Sequence, residues 1–99
     1  MLSVGLLARL EAKPGKEEDV AKFLEAGLAM ANEETETPVW FALRSGQTTF
    51  YIFDAFAGES GRQAHLTGPI ASALIANAPE LLAVAPDIAQ VDILGAKLP

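Results

Sequence analysis

The sequence contains no cysteine, few basic residues and no long apolar segment. The lack of cysteine excludes disulfides, thiol nucleophiles and thiolate metal sites. Only 7 lysines and arginines stand against 13 acidic residues, which gives a net charge of −6. Nucleic acid is therefore not an expected partner, because phosphate binding needs clustered basic residues. No apolar run approaches the roughly 20 residues of a membrane span, and no basic amphipathic stretch would bind an anionic membrane.

The N-terminal segment lacks the features of a secretory signal. No basic residue precedes its apolar stretch Leu2–Ala8, so it is a poor signal peptide. Together with the lack of cysteine, this predicts a cytoplasmic protein.

Apolar residues are abundant and make up 51% of the 99 residues. A chain of this length forms one domain by default, here residues 1–99. A domain of this size buries only roughly 60–70% of its unfolded surface. The chain carries more apolar surface than one small domain hides easily, which favours a homodimer.

The spacing of apolar residues predicts four strands and two helical regions. Ser60 is a candidate N-cap of the second helical region, and Pro79 is predicted to begin a separate turn. The acidic stretch Glu33–Pro38 is predicted to be a solvated helix exit. The predicted strands are Leu2–Ala12, Val39–Arg44, Thr48–Phe56 and Pro86–Leu94, and the predicted helices are Lys16–Asn32 and Ser60 to about Asn77, interrupted at Gly68–Pro69.

The element order βαββαβ predicts an α+β, ferredoxin-like fold with a four-stranded antiparallel sheet and helices on one face. In the second and third strands both alternating sets of residues are largely apolar. An antiparallel sheet with helices on one side normally shows polar residues on its other side. The second face is therefore expected to meet the sheet of a partner chain, as in a dimeric α/β barrel.

Five features follow one another along nearly the whole chain. They are the Lys13–Lys16 turn before an acidic helix start, the Glu33–Thr35 exit, the strand end Ile52–Phe56, Ala64–Leu66 and the final strand Val91–Leu94. In this order and spacing they resemble the antibiotic biosynthesis monooxygenase domain, a dimeric α/β-barrel family. Some members of that family oxygenate hydroxyaromatic polyketides or quinols with dioxygen and without metal or flavin, others degrade haem, and many have no assigned activity. The fold does not decide among these activities.

His65, the only histidine, is the strongest catalytic candidate. An unperturbed imidazole titrates near 6.5, so it can take a proton from a phenol or quinol near neutral pH. The resemblance implies that the protein promotes substrate deprotonation and holds the anion near dioxygen in a dry cavity. On that interpretation His65 is the base or an orienting donor. The alternative is a structural histidine whose ring nitrogens are hydrogen-bonded at a helix–sheet or dimer boundary.

Aromatic residues of the second and third strands are candidates for substrate binding. Trp40 and Phe53 are predicted to be cavity walls, and Tyr51 can donate its hydroxyl to a substrate oxygen. Aromatic pairs add about 0.5–1.5 kcal/mol through offset or edge-to-face stacking, which suits a planar substrate. The alternative for each of these residues is ordinary core packing.

Asp54 and Arg44 complete the set of candidate substrate-binding residues. Asp54 lies on a strand face that is otherwise apolar, at a position where the resemblance implies a glutamate in many family members. It can orient His65 or pair with Arg44 or Arg62. The alternative is a structural ion pair. Such a pair at the solvent-exposed rim of a cavity contributes only about 0–1 kcal/mol to stability.

Neither a metal nor another cofactor is expected. One histidine and scattered acids show no recognisable ligand spacing. The resemblance implies an asparagine in the first strand and a tryptophan in the third strand of haem-degrading members. Here the first strand has no asparagine and the third has Tyr51 and Phe53, so haem degradation is less favoured, although His65 alone can ligate iron.

The sequence therefore predicts a homodimer that oxygenates a small hydroxyaromatic or quinol compound with dioxygen and without a cofactor. Two alternatives stay open. One is a non-catalytic dimer that binds a small apolar ligand. The other is a stress-related structural dimer whose cavity is filled by its own aromatic residues.

Overall fold

A computed structural model describes residues 1–99 and shows four strands and three helices. No helix among the three combines the length and the apolar character that crossing a membrane would require. The strands are β1 (Val4–Glu11), β2 (Val39–Ser45), β3 (Thr49–Phe56) and β4 (Asp87–Asp92), and the helices are α1 (Glu17–Glu33), α2 (Glu59–Leu66) and α3 (Pro69–Leu81).

The four strands form one sheet in the order β2-β3-β1-β4, and every neighbouring pair is antiparallel. The predicted ferredoxin-like α+β fold is confirmed, with the second helical region divided into α2 and α3. Strands β1 and β3 lie in the centre of the sheet, so their side chains are fixed by neighbours on both sides.

All three helices pack on one face of the sheet, here called the inner face. Inner-face side chains alternate along β1 from Leu6 to Leu10 and along β3 from Phe50 to Phe56, and they are at most 6% exposed. They join buried apolar residues of α1 and α3 in one core cluster, which holds β3 firmly in place. The cluster consists of Ala8, Leu10, Ala12, Val20, Leu24, Phe50, Ile52, Leu74 and Leu82.

The opposite face of the sheet, here called the outer face, carries no helix. Three of its apolar side chains, Leu7, Phe41 and Leu43, are 38%, 50% and 47% exposed. The strand register places Tyr51 and Phe53 on the same face beside them. Both faces of the sheet are thus apolar, as the alternation in the sequence indicates.

Two local predictions about the second helical region were wrong. Ser60 is not an N-cap, because α2 begins at Glu59 and the Arg62 amide donates to the carbonyl of Gly58. Pro79 does not begin a separate turn but lies inside the last turn of α3. A proline there leaves the end of the helix intact, since the Leu82 amide still donates to a carbonyl within α3.

Candidate functional site

His65 is held between two carboxylates on the inner side of the sheet. Its Nδ1 lies 2.7 Å from Oε1 of Glu34, and its Nε2 lies 3.0 Å from Oδ2 of Asp54. The side chains of His65, Glu34 and Asp54 are 6%, 14% and 2% exposed. Because these residues belong to α2, the end of α1 and β3, the contact joins three separate segments.

The local sequence explains how His65 reaches this position. Asp54 follows Ile52 on the inner face of β3, and only two residues separate that strand from α2. The short connection returns α2 over the strand, where the His65 ring lies 5.6 Å from the Phe56 ring. A Cβ at Gly61 would lie 3.0 Å from a backbone oxygen of the α1–β2 connection, so glycine lets α2 approach the segment that carries Glu34.

The two carboxylates determine the charge of His65. Burial by itself would lower the pKa of His65, since it disfavours the charged imidazolium. The hydrogen bonds and charges of Asp54 and Glu34 outweigh burial, so the pKa of His65 lies above its ordinary value of 6.5. With both ring nitrogens bonded to carboxylates, the geometry is that of an imidazolium that donates two hydrogen bonds.

The raised pKa of His65 predicts a loss of stability at alkaline pH. A group whose pKa is higher in the folded than in the unfolded protein stabilises the fold fully below the unfolded value. That contribution disappears as pH rises above about 6.5 and through the folded pKa. We expect the midpoint of urea unfolding to fall over this window in the wild-type protein and to stay flatter in His65→Leu. Parallel curves for the two proteins would contradict this assignment.

Four buried polar atoms have no hydrogen-bond partner: Nε1 of Trp40, Oδ1 of Asp54, Oε2 of Glu34 and Nε of Arg62. The first two belong to neighbouring strands. Trp40 and Asp54 are directly paired in the β2–β3 register, so their side chains are neighbours on the inner face. The indole nitrogen only donates and the carboxylate oxygen only accepts, which together match one hydroxyl group. Leaving such atoms buried and unpaired costs about 1–3 kcal/mol each, so a hydroxyl-bearing ligand would gain from binding here.

Two small open spaces lie near the inner side of the sheet, and only the second includes residues of this cluster. The α1–β2 cleft has a volume of about 210 Å³ and runs along β2 from Ala42 to Arg44. The acidic groove has a volume of about 230 Å³ and lies against His65. Nowhere in the chain do three or more histidine and acidic side chains come together in a way that could hold a metal ion. The cleft is lined by Ala21, Leu24, Glu25, Ala42, Leu43, Arg44 and Phe50, and the groove by Glu33–Thr37, Ala64, His65, Gly68 and Pro69.

The structure brings together only some of the residues predicted from the sequence. Trp40, Asp54 and His65 share the inner side of the sheet, whereas Tyr51 and Phe53 lie on the outer face. A cavity within one chain therefore cannot be lined by Trp40 and Phe53 together. Whether any of these residues binds a substrate stays a prediction.

The two arginines considered as partners of Asp54 bind elsewhere. Arg44 lies on the inner side of β2, but its Nη2 is 2.8 Å from Oε2 of Glu18 and its guanidinium covers the ring of Phe50. Arg62 pairs with Glu59 at 2.6 Å, and its Nη1 donates to two backbone carbonyls of β1 and β4. His65 is therefore the cationic partner of Asp54.

Sequence reasoning missed Glu34. The prediction placed the whole stretch Glu33–Pro38 in solvent, yet Glu34 turns inward and contacts His65. It also accepts a hydrogen bond from the Thr37 hydroxyl at 2.8 Å. Nothing in the sequence distinguishes Glu34 from its acidic neighbours, because the contact depends on where α2 packs.

Comparison with known proteins gives one near relative and several more distant structures. A crystal structure of a protein of unknown function from Nitrosomonas europaea matches with a TM-score of 0.97 and 56% identity, covering 100% of this chain and 96% of that one. A proposed antibiotic biosynthesis monooxygenase from Caulobacter crescentus matches with a TM-score of 0.80 and 21% identity, covering 95% and 92% of the two chains. Another from Chloroflexus aurantiacus matches with a TM-score of 0.74 and 18% identity, covering 96% of each chain.

No protein-family model and no curated protein matches the sequence. The structural matches at low identity nevertheless confirm, at the level of the fold, the resemblance to antibiotic biosynthesis monooxygenases.

Proposed function

We propose a function from the premise that this chain belongs to the same family as the Nitrosomonas europaea protein of unknown function and has the fold of the antibiotic biosynthesis monooxygenases. The protein binds a small hydroxyaromatic or quinol compound at Trp40 and Asp54 and oxygenates it with dioxygen. The observation that carries this proposal is the buried donor and acceptor left unpaired on neighbouring strands. A single aromatic hydroxyl satisfies both atoms.

The α1–β2 cleft is the open space from which such a ligand would approach this pair. It is lined mainly by apolar side chains and lies on the same side of β2 as Trp40. The indole of Trp40 packs against α1 at Gly27, where an added Cβ would lie 3.2 Å from the ring. Because neither Trp40 nor Asp54 lines the cleft, the ligand must shift the indole away from α1 before it stacks on the ring and directs its hydroxyl to Asp54.

The first chemical step is loss of the hydroxyl proton. The hydroxyl proton passes to Oδ1 of Asp54, and the resulting aryloxide accepts a hydrogen bond from Nε1 of Trp40. Proton transfer by a positioned side chain contributes about 10²–10⁴ in rate. The buried site strengthens the interaction of the aryloxide with the indole donor and the nearby imidazolium, since water is excluded.

Dioxygen then reacts with the electron-rich aryloxide. One electron passes from the aryloxide to dioxygen, and the two radicals combine to form a C–O bond at the para carbon. The peroxide takes up the proton held by Asp54, and the O–O bond breaks as the para hydrogen is lost. One oxygen atom stays on the ring as a quinone carbonyl and the other leaves as water, so a phenol with a para hydrogen and O₂ gives a quinone and H₂O.

His65 serves this site as a charged donor that orients Asp54. Both of its ring nitrogens are bonded to carboxylates, so neither is free to take a proton from a substrate. Of the two roles that the sequence left open for His65, the geometry favours the orienting donor over the base.

The outer face supports the homodimer expected from the sequence. Large apolar side chains such as Phe41 and Leu43 are about half exposed there. Contiguous exposed apolar surface of this kind marks a site of association. A second copy that packs its own outer face against this one buries these side chains in a sheet-on-sheet interface.

Oxygen uptake with a panel of phenols, naphthols and quinols tests the proposed activity. We expect Asp54→Asn to lower kcat/KM for the best substrate about 100-fold, because an amide cannot take up the proton. The control is Gln63→Ala, on the exposed side of α2, which should retain full activity. An Asp54→Asn variant as active as this control would remove Asp54 from the mechanism, and a wild-type protein that consumes no oxygen with any compound would refute the proposed reaction.

A specific observation favours a second candidate function, a structural dimer without a ligand. Phe50 and Phe56 fill the inner side of the sheet and are 2% and 0% exposed. Both open spaces near the inner side of the sheet are smaller than the roughly 300–1,000 Å³ of typical ligand pockets. Under this function His65 only holds three segments of the chain together. The fluorescence of Trp40 would then not respond to any phenol, naphthol or quinol of the panel.

A further inference from the structure

We propose that Glu34 is a positioning residue of this site, which holds His65 as an imidazolium and thereby provides Asp54 with its buried counter-charge. The inference rests on the proposed function for its catalytic meaning, because Asp54 is the proposed acceptor of the substrate proton. The coupling of Glu34 to His65 can be measured without any substrate.

Asp54 requires a cation, and the structure offers it only His65. The Asp54 side chain is 2% exposed, and a carboxylate so buried is costly unless it is paired. Arg62, on the same helix as His65, is engaged by Glu59 and by the carbonyls of Gly5 and Val91. The charge that stabilises Asp54 is therefore the imidazolium charge.

Both carboxylates oppose the effect of burial on the pKa of the His65 ring. Burial has the largest single effect on the pKa of His65 and lowers it. Asp54 at 3.0 Å opposes this effect on one side of the ring, and Glu34 at 2.7 Å opposes it on the other. The shorter of the two contacts is made by Oε1 of Glu34, whose side chain is 14% exposed and whose Oε2 is buried without a partner, so His65 is the one cation that Glu34 contacts.

The surroundings of His65 contain few other charges that could replace Glu34. From β3 it faces Asp54 and the ring of Phe56, and from the end of α1 it faces Glu34. Glu33 and Glu36 line the same groove without bonding to the ring, and the α3 side contributes only Gly68 and Pro69. Glu33 is thus a matched control, with the same charge and groove but no contact with His65.

The test is an NMR titration of the His65 ring in the ligand-free full chain, prepared without a histidine tag. As the only histidine, it gives ring signals that need no further assignment. We expect Glu34→Gln to lower the titration midpoint by about one pH unit, a tenfold loss of proton affinity, because a charge in direct contact is removed. Glu33→Gln should move the midpoint by less than about 0.3 units.

The wild-type protein supplies an independent readout that does not depend on how the variants fold. At a pH slightly above 6.5, both ring N–H protons should be visible and protected from exchange, since both donate to buried carboxylates. A neutral ring with a single N–H proton at that pH would overturn the proposal. Equal midpoints in Glu34→Gln and Glu33→Gln would overturn it as well.

The pH profile of oxygen uptake separates this inference from the proposed function. The alkaline limb of kcat/KM should move to lower pH in Glu34→Gln by the same amount as the NMR midpoint, and should not move in Glu33→Gln. A shifted midpoint with no oxygen uptake in any protein would refute the oxygenase and retain the role of Glu34 in charging His65. Activity with an unmoved alkaline limb in Glu34→Gln would retain the oxygenase and refute the positioning role.

Discussion

Replacing His65 by leucine lowers the free energy of unfolding at pH 7 by about 3–5 kcal/mol, a large part of the roughly 5–15 kcal/mol that a domain of this size possesses. The substitution keeps an apolar side chain in contact with Phe56 but removes the cation between two carboxylates. Asp54, at 2% exposure, is then left as a buried acid without a partner. Urea unfolding followed by circular dichroism measures the loss.

A double substitution separates the loss of charge pairing from the loss of packing. Replacing a whole buried ion pair by apolar residues is often neutral, so His65→Leu combined with Asp54→Leu should recover much of the stability lost by His65→Leu alone. Gln63→Ala, on the exposed side of the same helix, should change stability by no more than about 0.5 kcal/mol. If His65→Leu is as stable as Gln63→Ala, the buried pair does not hold these segments together.

Replacing Phe41 by glutamate weakens the proposed homodimer by roughly 1,000-fold or more. Phe41 is half exposed on the outer face and is paired in register with Phe53 of the neighbouring strand. In a two-fold symmetric dimer each substitution occurs twice in one interface. With about 2 kcal/mol or more lost per copy, the total exceeds about 4 kcal/mol, which corresponds to about three powers of ten in Kd. Sedimentation velocity over a concentration series measures the change.

The matched control for Phe41→Glu is Ile75→Glu. Ile75 is 66% exposed and lies on α3, away from the outer face. It gains the same charge but should leave the dimer intact. A dimer that survives Phe41→Glu, or dissociates equally in Ile75→Glu, would place the interface elsewhere. A wild-type protein that is monomeric at micromolar concentration would refute the sheet-to-sheet dimer altogether.

The sequence by itself determined the order of elements and the layered fold. Alternating apolar residues locate β1 and β3, and a short turn with Gly46 at a positive φ of 69° joins β2 to β3. The apolar character of both alternating sets predicts a sheet that is apolar on both faces. These features are local, because strand periodicity and turn chemistry depend on residues close together in the chain.

Sequence also identified His65 and Asp54 as candidates, for different reasons. His65 stands out as the only histidine, and Asp54 as an acid on an apolar strand face. Alternation shows that Asp54 and Tyr51 lie on opposite faces of β3. It cannot show which of those faces the helices cover.

Only the tertiary structure decided which residues form the cluster. Glu34 and His65 are 31 positions apart, and their contact exists because α2 packs closely over the α1–β2 connection at Gly61. Tyr51 and Phe53 are excluded from the cluster because they lie on the outer face, and Arg44, although on the inner side, is kept away from Asp54 by its pairing with Glu18. Such contacts depend on how whole elements pack against one another. Periodicity describes only the pattern within each element. The sequence therefore does not identify Glu34 as the acid that keeps His65 protonated, whereas the folded chain does.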